Sequence, residues 1–308
     1  MDRTSTYYRI GPHVLRIGSI PSLDPNVLLP SFAPFVLLSE ERKDAEEFIE
    51  VDIYQGGTAV AEDTFPEPVS FEWENACCTL RRRKDGNYQI GIAPLKDHSI
   101  EAYADSTDGF CRNTVFIPEV LHSMAPFLVD NFLMMIYTFA TAGQGTLMVH
   151  ASVIQYNGYG YLFLGKSGTG KSTHTRLWLR HIEGCRLLND DNPVVAIDPH
   201  TGQVIVYGTP WSGKTPCYLN ESVPVRGFIR LEQAQENSIN RLTSAYAFAA
   251  LLPSCSCLKQ DSVIYNGIID TVTDIATRIP IYNLRCLPDE AAALLCMQAV
   301  TKRGEQLL

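Results

Sequence analysis

The pattern of hydrophobic and polar positions changes character near residue 115. Before it, short β-branched and aromatic runs alternate with turn signals: residues 7–17, 35–38, 48–54, 69–73, 78–81, 88–92 and 100–104. That spacing predicts strands, with turns at Tyr54-Gln-Gly-Gly and Lys84-Asp-Gly-Asn. The basic run 81–84 enters the second turn and reads as a solvated hairpin tip.

Beyond residue 115 the periods lengthen. An apolar stretch from Pro118 to about residue 142 predicts a helix that stops at Gly143-Gln-Gly145. Residues 146–156 alternate as a strand, Asn157-Gly158 marks a tight hairpin, and 159–164 read as the returning strand. A helix follows with Leu177, Trp178 and Ile182 on its apolar face. Then come strands at 186–189, 194–197, 204–207 and 225–231, helices at 243–252 and 261–278, and a strand at 281–287. A last helix opens at Pro288 and runs to about residue 302. The expected organisation is a β-rich domain over 1–115 followed by an α/β domain over 116–308.

Between the returning strand and its helix, the segment Gly165-Lys166-Ser167-Gly168-Thr169-Gly170-Lys171-Ser172 fits G-x-x-x-x-G-K-[ST] at every fixed position. Glycines let the backbone turn its N–H groups toward one anion, and the helix N-terminus adds partial positive charge. Residues 165–173 therefore read as a phosphate-binding loop. Lys171 is placed to reach the β- and γ-phosphates of ATP, and the Ser172 hydroxyl to hold Mg²⁺.

The neighbouring residues carry the remaining chemistry. If Asn157-Gly158 is a two-residue turn, Tyr156 faces Tyr159 and the ladder sets His150 opposite Gly165. A histidine at the loop mouth is a candidate metal neighbour or base; on a strand it is equally a structural residue. Asp190-Asp191 ends a strand just after the loop's helix. One carboxylate of such a pair can hold Mg²⁺ and the other can orient or deprotonate an attacking hydroxyl; the order of these roles stays open. The Gly/Pro-rich stretch around Trp211 offers Ser212 and Lys214 to a substrate, and the strand at 225–231 offers Arg226 and Arg230. For each of these four, a surface role is the competing reading.

Composition narrows the classes. The 308-residue chain carries a formal net charge of −9, with 45% hydrophobic and 19% charged residues. An acidic globular chain lacks the basic footprint of a nucleic-acid-binding protein. The N-terminal MDRTSTYYRI has no apolar h-region, and the nine cysteines show no zinc spacing. The expectation is a cytoplasmic protein with reduced thiols and no membrane span, the apolar stretch after Pro118 being a buried helix. Homo-oligomerisation is the general prior for such an enzyme.

The strand with His150, the hairpin, Gly165 to Thr173 and Asn189-Asp190-Asp191 together resemble the catalytic domain of HPr kinase/phosphorylase. They are also similar to the nucleotide site of ATP-dependent phosphoenolpyruvate carboxykinase. The resemblance covers roughly residues 118–302 and includes VRGFIRLEQAQENSINRL at 225–242. It implies a P-loop kinase domain in a mixed sheet with antiparallel hairpins. In that likeness Lys171 binds phosphate, Ser172 metal, and His150 lies near the reacting oxygen. Asp190 and Asp191 supply the metal ligand and the base. Thr173 stands where those kinases carry Glu, and the Trp211 loop replaces their Gly-rich signature, so HPr itself is not implied as acceptor. Three functions remain: ATP- and Mg²⁺-dependent transfer to a Ser of a peptide or protein, transfer to a small molecule, or nucleotide binding without transfer.

Overall fold

The computed structural model describes residues 4–38, 48–57, 63–64, 68–73, 76–94, 100–213, 215–259 and 261–301. The chain divides into two compact units, Met1–Thr141 and Ala142–Leu308, each built on its own mixed sheet.

The first unit contains β1 (Thr4–Ile10), β2 (His13–Ser19), the helical turn α1 (Pro25–Leu28), β3 (Phe48–Gln55), β4 (Val69–Trp73), β5 (Ala76–Arg82), β6 (Tyr88–Pro94), β7 (Ala102–Thr107), β8 (Arg112–Ile117) and α2 (Ala125–Thr141). Its sheet runs β1-β2-β3-β8-β7-β6-β5-β4. Alternation puts Ile49, Val51 and Ile53 of β3, with Val115 and Ile117 of β8, on the buried face. Against β3, β7 and β8 lies α2, burying Leu128, Val129, Phe132, Leu133, Ile136 and Tyr137. The Tyr137 hydroxyl donates to the Ile10 carbonyl at 2.9 Å.

Three sequence expectations change here. The run 7–17 is a hairpin, because Gly11 at φ 58° turns the chain between β1 and β2. Residues 30–35 form a 3-10 helix with Pro30 at its start, so 35–38 contributes only a bridge at Val36. The helix expected to open the second domain belongs to the first unit, since its apolar face is spent on this sheet; the division falls after Thr141, not at 115. By length and composition alone the stretch Glu119–Thr141 matches a membrane span; in the fold it is a 3-10 turn leading into α2, the core helix of this unit.

The second unit contains β9 (Thr146–Met148), β10 (Ala151–Tyr156), β11 (Tyr159–Leu164), α3 (Lys171–His181), β12 (Arg186–Asn189), β13 (Val194–Ile197), β14 (Val204–Tyr207), β15 (Ser222–Gln233), β16 (Ser238–Arg241), α4 (Ser244–Leu251), α5 (Ser262–Arg278), β17 (Ile281–Cys286) and α6 (Glu290–Thr301). Its sheet runs β12-β10-β11-β15-β14-β13-β9, with β17 alongside β15 and β16 alongside β17. β10 and β11 form an antiparallel hairpin, whereas β11, β15 and β17 are parallel.

Asn157 and Gly158 both have positive φ, 49° and 78°, as a type I′ turn needs. The register is Tyr156 opposite Tyr159 through Ala151 opposite Leu164. The stretch 146–156 is two strands. Val149 bridges to Cys255, and the His150 amide donates to the Ser254 carbonyl at 2.7 Å. That break lets β9 pair with β13 while β10 pairs with β11.

The α3 face of the sheet is sealed by Trp178, fully buried among Tyr161, Phe163, Ile182, Ile229, Leu231 and Leu284. Its indole N–H donates to His174 Nε2 at 3.1 Å, so that ring must keep a free acceptor nitrogen. Burial pulls the His174 pKa down from 6.5 to about 4. The unfolded chain takes up this proton near 6.5 and the folded chain only near 4. Stability present above the upper value is therefore lost as pH falls through the window. Denaturant midpoints measured from pH 7 down to pH 4 should fall across it, and fall less in His174→Gln, whose amide can accept without titrating.

Candidate functional site

The chain leaves β11 at Leu164 and enters the loop. Gly165, Gly168 and Gly170 take φ of 155°, 82° and 105°, which L side chains resist. A Cβ on Gly165 would also strike the Thr169 hydroxyl. The Thr169 amide donates to the Lys166 carbonyl at 3.1 Å, and its hydroxyl donates to the same oxygen. Gly170 is the N-cap residue of α3, so the unpaired first-turn amides of the helix join those of the loop.

Lys171 is only 9% exposed. Its ammonium donates to the Gly165 carbonyl and to His150 Nε2, each at 2.8 Å. An ammonium only donates, so Nε2 accepts and the ring proton sits on Nδ1. That nitrogen lies 3.1 Å from Asp191 Oδ1. A continuous chain, Asp191–His150–Lys171–Gly165, thus spans the loop mouth, and the hairpin register brings His150 there. Burial draws the Lys171 pKa below its ordinary value, against the opposing pull of Asp191 and then Asp190.

The two aspartates differ in surroundings. Asp190 is buried, and its Oδ1 accepts from the Ser152 hydroxyl at 2.9 Å. Ser152 also touches the Thr175 hydroxyl at 2.8 Å, and Thr175 donates to the Lys171 carbonyl at 3.0 Å. Asp191 keeps 30% of its side chain exposed, with Oδ2 accepting from Asn192 Nδ2 at 2.9 Å. Ser152 falls outside the sequence-derived set, although it stands on β10 two residues beyond His150.

Asn189 is a second residue beyond that set. Fully buried, it accepts from the Asp191 amide at 2.9 Å through Oδ1. Its Nδ2 donates to Thr209 Oγ1 at 3.1 Å and to the Trp211 carbonyl at 3.4 Å. Thr209 in turn donates to the Asn192 carbonyl at 2.7 Å. One amide side chain therefore ties the 208–213 loop to the aspartate pair. A Cβ on Gly213 would sit 3.2 Å from Asp191 Cβ, and one on Gly208 would collide with the Leu219 carbonyl. Asn189 precedes the Asp pair directly, which is the signal its position offered.

The other candidates separate. Ser212 lies on this loop, its hydroxyl donating to the Thr215 carbonyl at 2.8 Å. Lys214 lies outside the described residues. Arg230 is exposed and sits opposite Leu164, the last residue before the loop. Arg226 stacks over the Tyr159 ring at 5.0 Å, at the hairpin end of β11, so the structure does not bring it to the loop. Ser172 is exposed at the start of α3. Among the described residues no group of three or more His, Cys, Asp or Glu side chains is arranged to hold a metal. Two carboxylates and a hydroxyl suit Mg²⁺ delivered with phosphates and its own waters, and do not suit an all-protein cage.

A family model described as SynChlorMet cassette protein ScmC matches residues 119–288. A comparison with curated proteins gives no match. Among solved structures, the chain is similar to the Hpr(Ser) kinase/phosphatase from Coxiella burnetii at 14% identity and a TM-score of 0.30. That match covers 50% of this chain and 87% of the other. No site residue is carried across on a likeness of that size.

Replacing Asn189 with Ala strands the part-buried Asp191 amide and removes the donor to the buried Thr209 oxygen, whose own bond to the Asn192 carbonyl remains. The expected loss is about 1–3 kcal/mol in chemical denaturation. Faster proteolysis within 208–213 should accompany it.

Proposed function

The chain belongs to the SynChlorMet cassette protein ScmC family, and we propose that it is an ATP- and Mg²⁺-dependent phosphotransferase. On this reading it moves the γ-phosphoryl group of ATP to a hydroxyl, that of a Ser in a peptide or protein. The observation that carries the proposal is the chain Asp191–His150–Lys171–Gly165, which joins a carboxylate to the phosphate loop through one histidine and one ammonium. The Ser acceptor follows from the sequence resemblance to HPr kinase around that chain.

Residues 165–173 bind the phosphates. Lys171 leaves its two internal acceptors for phosphoryl oxygens, where its charge counts most as negative charge builds. Asp190, with the Ser172 hydroxyl, would hold the cation. Mg²⁺, when bound, would offset negative charge on the phosphoryl groups. Asp191, the more exposed carboxylate, orients the acceptor hydroxyl and takes its proton. The bond from phosphorus to the bridging oxygen breaks as the new P–O bond to the acceptor forms, and ADP leaves. His150 holds Asp191 in place through Nδ1–H and is freed at Nε2 when the lysine turns to phosphate. Arg230, at the loop end of β15 opposite Leu164, adds positive charge beside the phosphate loop. The 208–213 loop, with Ser212, forms the wall beside Asp191 that the acceptor meets.

Purified protein should be incubated with γ-labelled ATP and Mg²⁺ against cell extract, small hydroxyl compounds and buffer. Label is expected on a polypeptide. Asp191→Asn should cut transfer by about 100-fold or more while ATP still binds, and Lys171→Ala should lose both. Label on a small molecule would move the acceptor class. Binding without any transfer, unchanged in Asp191→Asn, would make the protein a nucleotide-binding module.

A further inference from the structure

The strand that feeds the loop has different neighbours on its two sides. In the order β12-β10-β11-β15, with β17 beyond β15, His150 and the aspartate pair come from the β10 and β12 side. On the opposite side β11, β15 and β17 run parallel, so their carboxyl ends lie together beside the loop. Crevices past the carboxyl ends of parallel strands are where open α/β sheets take ligands.

A cavity of about 400 Å³ sits there, within the range of small-ligand sites. Gly168 to Gly170 and Thr173 form its wall toward the phosphate loop. Leu177 and Leu231 line it from α3 and β15, and Leu287 and Pro288 from the link after β17. None of its lining residues is Asp, Glu, Lys or Arg. His174 lines it too, with Nε2 already engaged by the Trp178 indole. Gln233 donates from Nε2 to the Gly168 carbonyl at 3.3 Å, which leaves its own carbonyl oxygen as an acceptor at the rim.

An uncharged, mostly apolar slot thus abuts an anion-binding loop, and the carboxylates stand on the loop's far side. A ligand that matches this layout has a flat neutral part and a polyanionic tail. We propose that the cavity holds the base and ribose of the nucleotide whose phosphates occupy residues 165–173. The nucleotide then lies across the end of β11, with its terminal phosphate toward Asp191. This rests on the phosphate-loop reading above and adds which side of the loop the nucleoside takes and which side chains grip it.

Calorimetric titration of the full chain with ATP and with inorganic tripolyphosphate separates the two ideas. Tripolyphosphate should bind about tenfold more weakly than ATP, since it forgoes the apolar contacts. Leu177→Ala and Leu287→Ala should each weaken ATP about fivefold and leave tripolyphosphate unchanged. Leu287 is 38% exposed, so truncating it spares the core if Leu177→Ala fails to fold. Equal affinity for the two ligands would overturn the proposal. So would a folded Leu287→Ala protein that loses both ligands alike or neither. If neither ligand binds the unaltered protein, the phosphate-loop reading falls and the nucleoside cavity with it.

Discussion

An ammonium group leaves water only if other acceptors replace the water it loses. Lys171 is nearly buried and meets that demand with one backbone carbonyl and one imidazole nitrogen. Much of the second unit's local geometry serves this arrangement. Gly165, whose carbonyl accepts from the lysine, takes a backbone conformation that L side chains rarely adopt. His150 stands one residue beyond the hairpin ladder, at the break between β9 and β10, with its amide anchored on Ser254. Asp191 must then hold the other ring nitrogen so that the lone pair faces the lysine.

The supports for that chain come from separate elements. Trp178 pins α3 to the sheet, and deleting a side chain so buried costs about 3–5 kcal/mol. Ser152 on β10, itself against the Thr175 hydroxyl of α3, donates to Asp190 from within the core. Asn189 joins Asp191 to the 208–213 loop. The inner carboxylate therefore accepts from a buried hydroxyl and is shielded, whereas the outer one is partly exposed beside the loop that carries Gly208 and Gly213. That asymmetry separates two residues that sequence spacing alone leaves equivalent.

Much of this was legible before any coordinates because short-range rules dominate here. Asn157-Gly158 dictates a two-residue turn, and a two-residue turn dictates the register that carries His150 to the loop. The strands 186–189, 194–197 and 204–207 coincide with β12, β13 and β14, their ends marked by turn residues. Where the reading missed, the deciding contacts were distant. The helix after Pro118 joins the first unit because that sheet needs covering, which periodicity does not reveal. The strand β16 (Ser238–Arg241) was unanticipated because its polar residues give no hydrophobic period and it exists by pairing with β17. Arg226 and Arg230 looked alike in sequence; four residues along β15 set one at the hairpin end and the other at the loop. Asn189 enters the quoted motif without a role of its own, and Ser152 is unmarked in the sequence; their buried partners set them apart.

The most direct test of the shared ammonium is the protonation pattern of the His150 ring, read by ¹⁵N NMR on selectively labelled protein with and without ATP and Mg²⁺. In the free protein the ring should carry its proton on Nδ1, with Nε2 accepting from Lys171. On saturation with nucleotide, the Nε2 resonance should shift as the lysine turns to phosphate while Nδ1 keeps its proton toward Asp191. A ring protonated on Nε2 in the free protein, or an Nε2 resonance unmoved by saturating ATP, would contradict it.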